Sequence, residues 1–173
     1  MVMLYHVVPD NLTGDTLYPL NVLQNIYPDV YYAHLQKYEG HTYALQLAVP
    51  ILNCLWNDVL HFSMVHPAEA REAWLSAGFE VPPKQHFEID AGLTVFNEEN
   101  TVIYLAPDSV EITDESFMPY SLEVLENIAY QISDVTEGYY RASSGQYPMQ
   151  FYRAPHVLYR GSLNINGLNV ITV

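Results

Sequence analysis

Three of the four arginines of this chain lie close to its C-terminus, at Arg141, Arg153 and Arg160. The segment that contains them, residues 138–173, has no Asp or Glu, although the whole chain has 20 acidic and only 6 basic residues. Arginine binds phosphate oxygens through paired N–H donors. The sequence therefore predicts that a phosphate-bearing ligand is bound by this tail, and ordinary surface solvation is the alternative for each arginine.

Histidines supply the second kind of candidate chemistry. His6 lies on the first predicted strand, where its ring either hydrogen-bonds a ligand hydroxyl or is a half-buried structural histidine. His61 and His66, together with Asp58, form a possible metal-binding set. Their i, i+5 spacing puts the two rings on opposite faces of a strand and differs from the HExxH spacing of helical zinc sites. We therefore expect no metal, and a metal-dependent hydrolase is the least favoured interpretation.

The possible nucleophiles have no activating neighbours in the sequence. Cys54 lies between two leucines, which favours a buried and inert thiol, and Ser63 has no recognisable partner base. No P-loop, zinc-finger or nucleophile-elbow motif is present. A single cysteine excludes an internal disulfide and fits a reducing compartment, so a cytoplasmic location is expected.

The composition limits the classes of partner. The formal net charge of −14 argues against general binding to duplex nucleic acid or to anionic membranes, because both need a cationic surface. Half of the residues are hydrophobic and only 15% are charged, against about 25% in a typical domain. Fifteen tyrosines suit half-buried positions, pocket walls and interfaces. A small nucleotide pocket and a protein partner both remain possible.

The elements that must position these residues follow from hydrophobic patterns and turn signals. Strands are predicted over residues 3–8, 43–49, 59–65, 85–90, 101–106, 156–163 and 168–173. Helices are predicted over 20–26, 29–37 with Pro28 at the first position, 67–76, and 122–132 with Ser121 as N-cap. The pairs 85–90 with 101–106 and 156–163 with 168–173 are predicted as hairpins, the second around an Asn-Gly turn.

The sum is a single α+β domain spanning residues 1–173. Its central sheet is expected to be mixed or antiparallel, with about six to eight short strands and three or four helices.

The opening LYHVVPDNL resembles the first motif of the ADP-ribosyltransferase-like superfamily, in which a short strand ending in His begins the NAD-binding core. The order of the following segments, with the strands FEID and TVIYLA, is similar to the central sheet of that superfamily. The strings LYPLN, LNCLWNDVLHFS, VHP and PHVLYRGSLNI also resemble a group of small bacterial proteins. That second resemblance covers nearly the whole chain but carries no function.

The superfamily resemblance implies a set of roles. His6 would hydrogen-bond a ribose of NAD, with Tyr5, Arg153 and Arg160 as further NAD-binding residues. One of the later tyrosines would stack on the nicotinamide. The catalytic glutamate that such transferases place late in the fold would be Glu137, because no acidic residue follows it. The RNA 2′-phosphotransferase branch uses His and several Arg instead, which the arginines of the tail would suit.

Two functions therefore stand side by side. The first is an NAD-binding, ADP-ribosyltransferase-like protein, whose transferase activity is left open. The second is a non-enzymatic, acidic and Tyr-rich module for protein–protein interaction.

Overall fold

The computed structural model describes residues 1–38, 42–106, 112–128, 131–143 and 148–173. Within these ranges the chain forms five α-helices packed on an antiparallel sheet of seven strands, with two small two-stranded sheets beside it. The α+β class predicted from the sequence is confirmed.

The strands are short and each pairing is antiparallel. Their bounds are β1 Met3–Val7, β2 Thr16–Leu17, β3 Ala48–Val49, β4 Cys54–Leu55, β5 Leu60–Ser63, β6 Gln85–Asp90, β7 Thr101–Tyr104, β8 Phe117–Pro119, β9 His156–Tyr159, β10 Leu163–Asn164 and β11 Asn169–Thr172. The main sheet has the order β11-β6-β1-β5-β9-β7-β8, and the small sheets are β10-β2 and β3-β4. The first strand is therefore near the middle of the sheet, where its residues are covered on both faces.

The helices are α1 Leu20–Ile26, α2 Pro28–Leu35, α3 Pro67–Ser76, α4 Leu122–Asn127 and α5 Asp134–Ala142. Several begin where the sequence predicts: Pro28 and Pro67 occupy first-turn positions, and the Ser121 side chain accepts a hydrogen bond from the Val124 N–H. A short 3-10 helix, Trp56–Asp58, leads into β5.

The alternation of side chains along the strands builds one core on each face of the sheet. One face carries a cluster that includes Leu4, Phe62, Ile89, Ile103 and Val157. The opposite face carries a second cluster, made by Val49, Leu52, Val59, Val102, Tyr104, Ala106, Phe117 and Leu158. Because both faces are covered, the central strands have nearly continuous apolar sequences, which explains why their positions could be predicted.

Helices α1 and α2 form a hairpin that differs from the rest of the fold. Neither helix contains a fully buried residue. Leu20 and Leu23 of α1, and Val30 and His34 of α2, have the i, i+3 and i, i+4 spacings that put them on one side of each helix. These inward sides line a cavity, so the hairpin covers the sheet without being packed into a core.

Three predictions about local structure are wrong. Residues 42–46 form a 3-10 helix, and only Ala48–Val49 is a strand. Strand β6 pairs with β1 and β11 while β7 pairs with β8 and β9, so β6 and β7 are not a hairpin. The turn at Gly167 exists, with φ +80°, but β10 pairs with β2 and β11 with β6. In the two predicted hairpins, pairing with more distant segments replaced pairing with the expected neighbour in sequence.

Helix α5 was not predicted, because Ser133 and the i, i+4 pair of Glu137 with Arg141 are weak signals beside Gly138. Helix α4 ends at Asn127, earlier than the sequence indicates. Among the described residues, no helix is both long and apolar enough to cross a membrane.

Two glycines give a test of this packing. A Cβ at Gly161 would overlap the ring of Tyr159, which is buried in the main core, whereas a Cβ at Gly138, inside α5, would meet nothing. We expect Gly161→Ala to lower the free energy of unfolding by about 1–3 kcal/mol. Gly138→Ala should raise it by about 0.5–1 kcal/mol. Urea denaturation measures both, and equal effects of the two substitutions would contradict the close approach of Gly161 to Tyr159.

Candidate functional site

The candidate site begins where strands β1 and β5 stop pairing. Their register joins Tyr5 to Ser63, whereas β1 and β6 are paired along all of Met3–Val7. Beyond this point the His6 side chain connects the two strands, because its Nδ1 lies 2.9 Å from the backbone oxygen of His61. A carbonyl only accepts, so Nδ1 carries the proton and donates it. His6 therefore bridges two strands at the position where the sheet opens.

A cavity of about 190 Å³, which we call the His6 cavity, occupies this opening. Its walls come from the end of β1, the loop that follows, the inward side of the α1–α2 hairpin, and the segment that leads into β5. The lining residues are His6, Pro9, Asn11, Leu12, Thr13, Thr16, Leu17, Tyr18, Pro19, Leu20, Leu23, Tyr27, Val30, His34, Tyr38, Asn57, Val59, Leu60 and His61.

The His6 cavity is aromatic and formally uncharged. Tyr18, Tyr27 and Tyr38 are in its wall, with the Tyr18 and Tyr27 rings 6.3 Å apart. Burial raises the pKa of the Tyr38 phenol, so this group is a neutral hydrogen-bond donor at physiological pH. Among the described residues, the lining has no Asp, Glu, Lys or Arg. The cavity therefore favours a planar group recognised by stacking and neutral hydrogen bonds.

A second and wider cavity, of about 810 Å³, adjoins the first, and we call it the Lys84 groove. The two share Pro9, Asn11, Leu12 and His34 in their linings. The groove adds Val7, Val8, Asp10, Ala33, Pro83, Lys84 and Gln85. Two backbone hydrogen bonds with Val173, of 2.7 and 3.0 Å, hold Lys84 at the start of β6. A ligand that leaves the His6 cavity through this side therefore meets one cation, Lys84, and one anion, Asp10, among the described residues.

The volume of the His6 cavity limits what can enter it. An apolar cavity of about 150 Å³ holds a benzene ring, and pockets for drug-sized ligands begin near roughly 300 Å³. The His6 cavity lies between these values, so it accommodates one ring system but not a whole dinucleotide. The remainder of a larger ligand would have to lie in the Lys84 groove.

His61 holds the wall of the cavity together. Its ring Nε2 donates to the Trp56 carbonyl at 2.8 Å, and the two rings pack with centroids 4.6 Å apart. Its backbone oxygen receives the hydrogen bond from His6. The His156 ring is 6.2 Å away on the neighbouring strand and donates from Nδ1 to the Ala154 carbonyl. Both rings are therefore neutral donors in the folded protein.

Burial lowers the pKa of His61 to about 3, with the neighbouring His156 as a further cause. Burial likewise lowers the pKa of His156 to about 4.

The structure separates most of the site residues predicted from the sequence. His6 lies in the cavity wall, but Tyr5 points to the other face of the sheet, where its ring contacts His66 with centroids 4.9 Å apart. The guanidinium of Arg153 lies over the Tyr152 ring, and Arg160 donates to the Leu52 carbonyl at 3.0 Å. Neither arginine is among the described residues lining the two cavities.

Glu137 also lies away from these cavities. It is on α5, where its carboxylate accepts a 3.0 Å hydrogen bond from Arg141 one helical turn later. Glu137 and Arg141 are both absent from the described lining of either cavity. The role of Glu137 as a catalytic acid stays a prediction, because the structure does not bring it together with His6.

The residues considered for metal binding each have a different partner. His61 bonds the Trp56 carbonyl, His66 accepts from the Ala68 N–H, and Asp58 accepts from the Asn21 side chain and the Leu55 N–H. Within the described part of the chain, no group of three His, Cys, Asp or Glu side chains could hold a metal ion. The half-buried Cys54 thiol has a pKa raised by burial, which disfavours the thiolate nucleophile.

Sequence inspection missed Tyr38, Asn57 and Lys84 as cavity residues. Nothing in the local sequence shows that Asn57 becomes buried. The one available signal was the spacing of Leu20, Leu23, Val30 and His34, which indicates helices with one lining side.

Comparisons with protein-family models, with curated proteins and with solved structures found no match to this chain. The function is therefore inferred from the two cavities and from the residues that line them.

The lowered pKa values of His61 and His156 predict a dependence of stability on pH. Their folded-state pKa values, about 3 and about 4, lie below the unfolded value of about 6.5. Between these limits the unfolded chain binds more protons, so stability falls as the pH falls. At pH 5 the loss should be about 2 kcal/mol for each histidine.

Urea denaturation at pH 7 and pH 5 measures this effect. His156→Gln keeps a donor for the Ala154 carbonyl but cannot titrate, so the loss between the two pH values should be smaller by about 2 kcal/mol. Equal losses in the variant and the unmodified protein would show that His156 is not held neutral by the fold.

Proposed function

We propose that this protein binds NAD, or a closely related nucleotide, with one ring in the His6 cavity and the phosphates along the Lys84 groove. The observation that carries the proposal is the position of His6, in the wall of a ring-sized, aromatic and uncharged cavity. The resemblance of LYHVVPDNL to the first motif of the ADP-ribosyltransferase-like superfamily implies the same role for this histidine.

Two features of the cavities support a dinucleotide in particular. The His6 cavity, of about 190 Å³, is large enough for one ring system, and the adjoining groove of about 810 Å³ is large enough for the remainder. Lys84 then supplies the charge for the phosphates that the sequence analysis assigned to Arg153 and Arg160. In a chain of net charge −14, Lys84 is the cation among the described residues of this lining, which also contains the Asp10 carboxylate, so the phosphates would bind on the Lys84 side of the groove.

Transfer of ADP-ribose is a further step within this proposal. It requires a group that stabilises the positive charge developing on the ribose as nicotinamide leaves. Glu137 is the candidate from the sequence, and in the folded chain it is ion-paired on α5. Binding is therefore the part of the proposal that the cavity supports, and transferase activity would need Glu137 or another acid to approach the ligand.

A second candidate function is binding of a protein partner by the α1–α2 hairpin. It is favoured by the exposed apolar side chains on the outer side of the hairpin, Val22, Ile26 and Tyr32, the last with 62% of its surface accessible. These exposed side chains support the alternative of a Tyr-rich interaction module. Absence of binding to NAD, ADP-ribose and nicotinamide by the folded protein would favour this function.

One test of the proposed NAD site uses His6. Isothermal titration calorimetry of NAD into the purified protein should show saturable binding, and His6→Ala should weaken it about tenfold by removing one hydrogen bond to the ligand. His66→Ala is the matched control, since it also removes one imidazole and one hydrogen bond but lies outside both cavities.

Circular dichroism should show that both histidine variants are folded. Unchanged NAD affinity in folded His6→Ala would remove His6 from the site.

Another test distinguishes binding of the phosphates from binding of the ring. Lys84→Gln should lower the affinity for NAD about three- to tenfold, because one charge-assisted contact is lost. It should leave the affinity for nicotinamide unchanged. Arg141→Gln serves as the control for net charge, since Arg141 is exposed on α5 and lies outside both cavities.

An equal loss of affinity for NAD in Lys84→Gln and Arg141→Gln would show a general charge effect rather than a phosphate site. If Lys84→Gln lowered the affinities for nicotinamide and for NAD equally, the lysine would act on the His6 cavity instead.

A further inference from the structure

Asn57 is a buried amide in the wall of the His6 cavity, with only 2% of its surface accessible. Its Oδ1 accepts a hydrogen bond of 3.0 Å from the Tyr38 hydroxyl. Its Nδ2 has no hydrogen-bond partner among the residues that the structure describes. An amide nitrogen carries two donors, so Asn57 has unused donor capacity in the cavity wall.

The local structure keeps this amide in place. Asn57 is the middle residue of the 3-10 helix Trp56–Asp58. The Asp58 carboxylate accepts from the Leu55 N–H at 2.8 Å and from the Asn21 side chain of α1 at 2.7 Å. On the other side, the Trp56 carbonyl is held by His61. These contacts hold the backbone on both sides of Asn57, and the Tyr38 hydrogen bond holds its side chain.

Such a donor is costly unless something binds it. Leaving a buried amide N–H without an acceptor costs about 1–3 kcal/mol, and native proteins have few such groups. An amide that keeps its oxygen bonded to Tyr38 and has an unpaired nitrogen, in a residue that lines a ring-sized cavity, is a candidate to bind an acceptor carried by a ligand.

The character of the cavity defines that acceptor. No Lys or Arg is among the described lining residues, so a carboxylate or phosphate oxygen would be buried without a counter-charge. A neutral carbonyl oxygen needs no counter-charge, and the volume of about 190 Å³ restricts it to one ring system.

We propose that Asn57 determines specificity by donating from Nδ2 to a carbonyl oxygen attached to a planar ring in the His6 cavity. This inference rests on the proposed function and names the chemistry of its ligand. The class includes the carboxamide of nicotinamide and the lactam oxygen of bases such as hypoxanthine and uracil. Adenine has no carbonyl, so NAD would enter the cavity with its nicotinamide end.

The nicotinamide ring of NAD carries a positive charge, which the surrounding tyrosines accommodate. Tyr18, Tyr27 and Tyr38 offer aromatic rings in the lining, and a cation near such a ring is attracted by its electron-rich face. The adenine end, by contrast, would leave the Asn57 donor without an acceptor.

The test compares nicotinamide with 3-methylpyridine, which has the same ring but no carbonyl. Calorimetry on the unmodified protein should give an affinity for nicotinamide about tenfold higher than for 3-methylpyridine. In Asn57→Asp, which replaces the donor by an oxygen and keeps the acceptor for Tyr38, this ratio should fall to about one. Asn57→Leu, which has no donor, should give the same result.

A measurement on the unmodified protein covers the case in which these variants do not fold. In ¹H–¹⁵N spectra, the side-chain amide signal of Asn57 should shift on addition of nicotinamide and not on addition of 3-methylpyridine. Uracil and hypoxanthine serve as the nucleobase probes. A shift with either of them, and the same dependence on Asn57, would support the carbonyl contact and assign its source to a base.

The outcomes separate this inference from the proposed function. If neither NAD nor any ring probe binds the folded protein, both fall together. If NAD binds with dependence on His6 while folded Asn57→Asp retains the tenfold preference for nicotinamide, only the role of Asn57 is overturned. Binding without any change in the Asn57 amide signal would overturn it as well.

Discussion

The separation of strands β1 and β5 beyond the Tyr5–Ser63 pair is the constraint on which the site depends. Beyond this pair, β1 and β5 are not joined by further paired residues. Instead, the His6 ring donates to the His61 carbonyl, and this side-chain contact spans the gap between the strands. The opening can persist because the exposed polar groups of one strand end are satisfied by a side chain instead of by the neighbouring strand.

His61 connects His6 to the segment that precedes β5. Its carbonyl accepts the hydrogen bond from His6, and its ring donates to the carbonyl of Trp56, the residue before Asn57. Because burial keeps the His61 ring neutral, with a pKa of about 3, this link does not add charge to the cavity at physiological pH. The neutrality of this part of the wall and the position of the segment that contains Asn57 therefore depend on the same residue, His61.

Much of the secondary structure could be predicted from the sequence, because local signals and burial agree there. Met3–Val7 and Pro67–Ser76 were predicted to within about one residue, through an apolar run and a proline at the first helical turn. His6 was also a candidate site residue from the sequence, and it lies in the wall of the His6 cavity. The partners of β6, β7 and β11 were predicted wrongly, since strand pairing depends on contacts between distant segments, which one sequence does not reveal.

The sequence by itself determined the α+β class, the acidic charge, the abundance of tyrosine and the candidacy of His6. Only the tertiary structure decided which side chains meet His6. The arginines near the C-terminus have other contacts, with Arg160 on the Leu52 carbonyl and Arg141 on Glu137, while Lys84 and Asn57 reach the cavities. The physical reason is that a residue's type sets which bonds it can form, whereas its partners depend on chain segments brought together by folding.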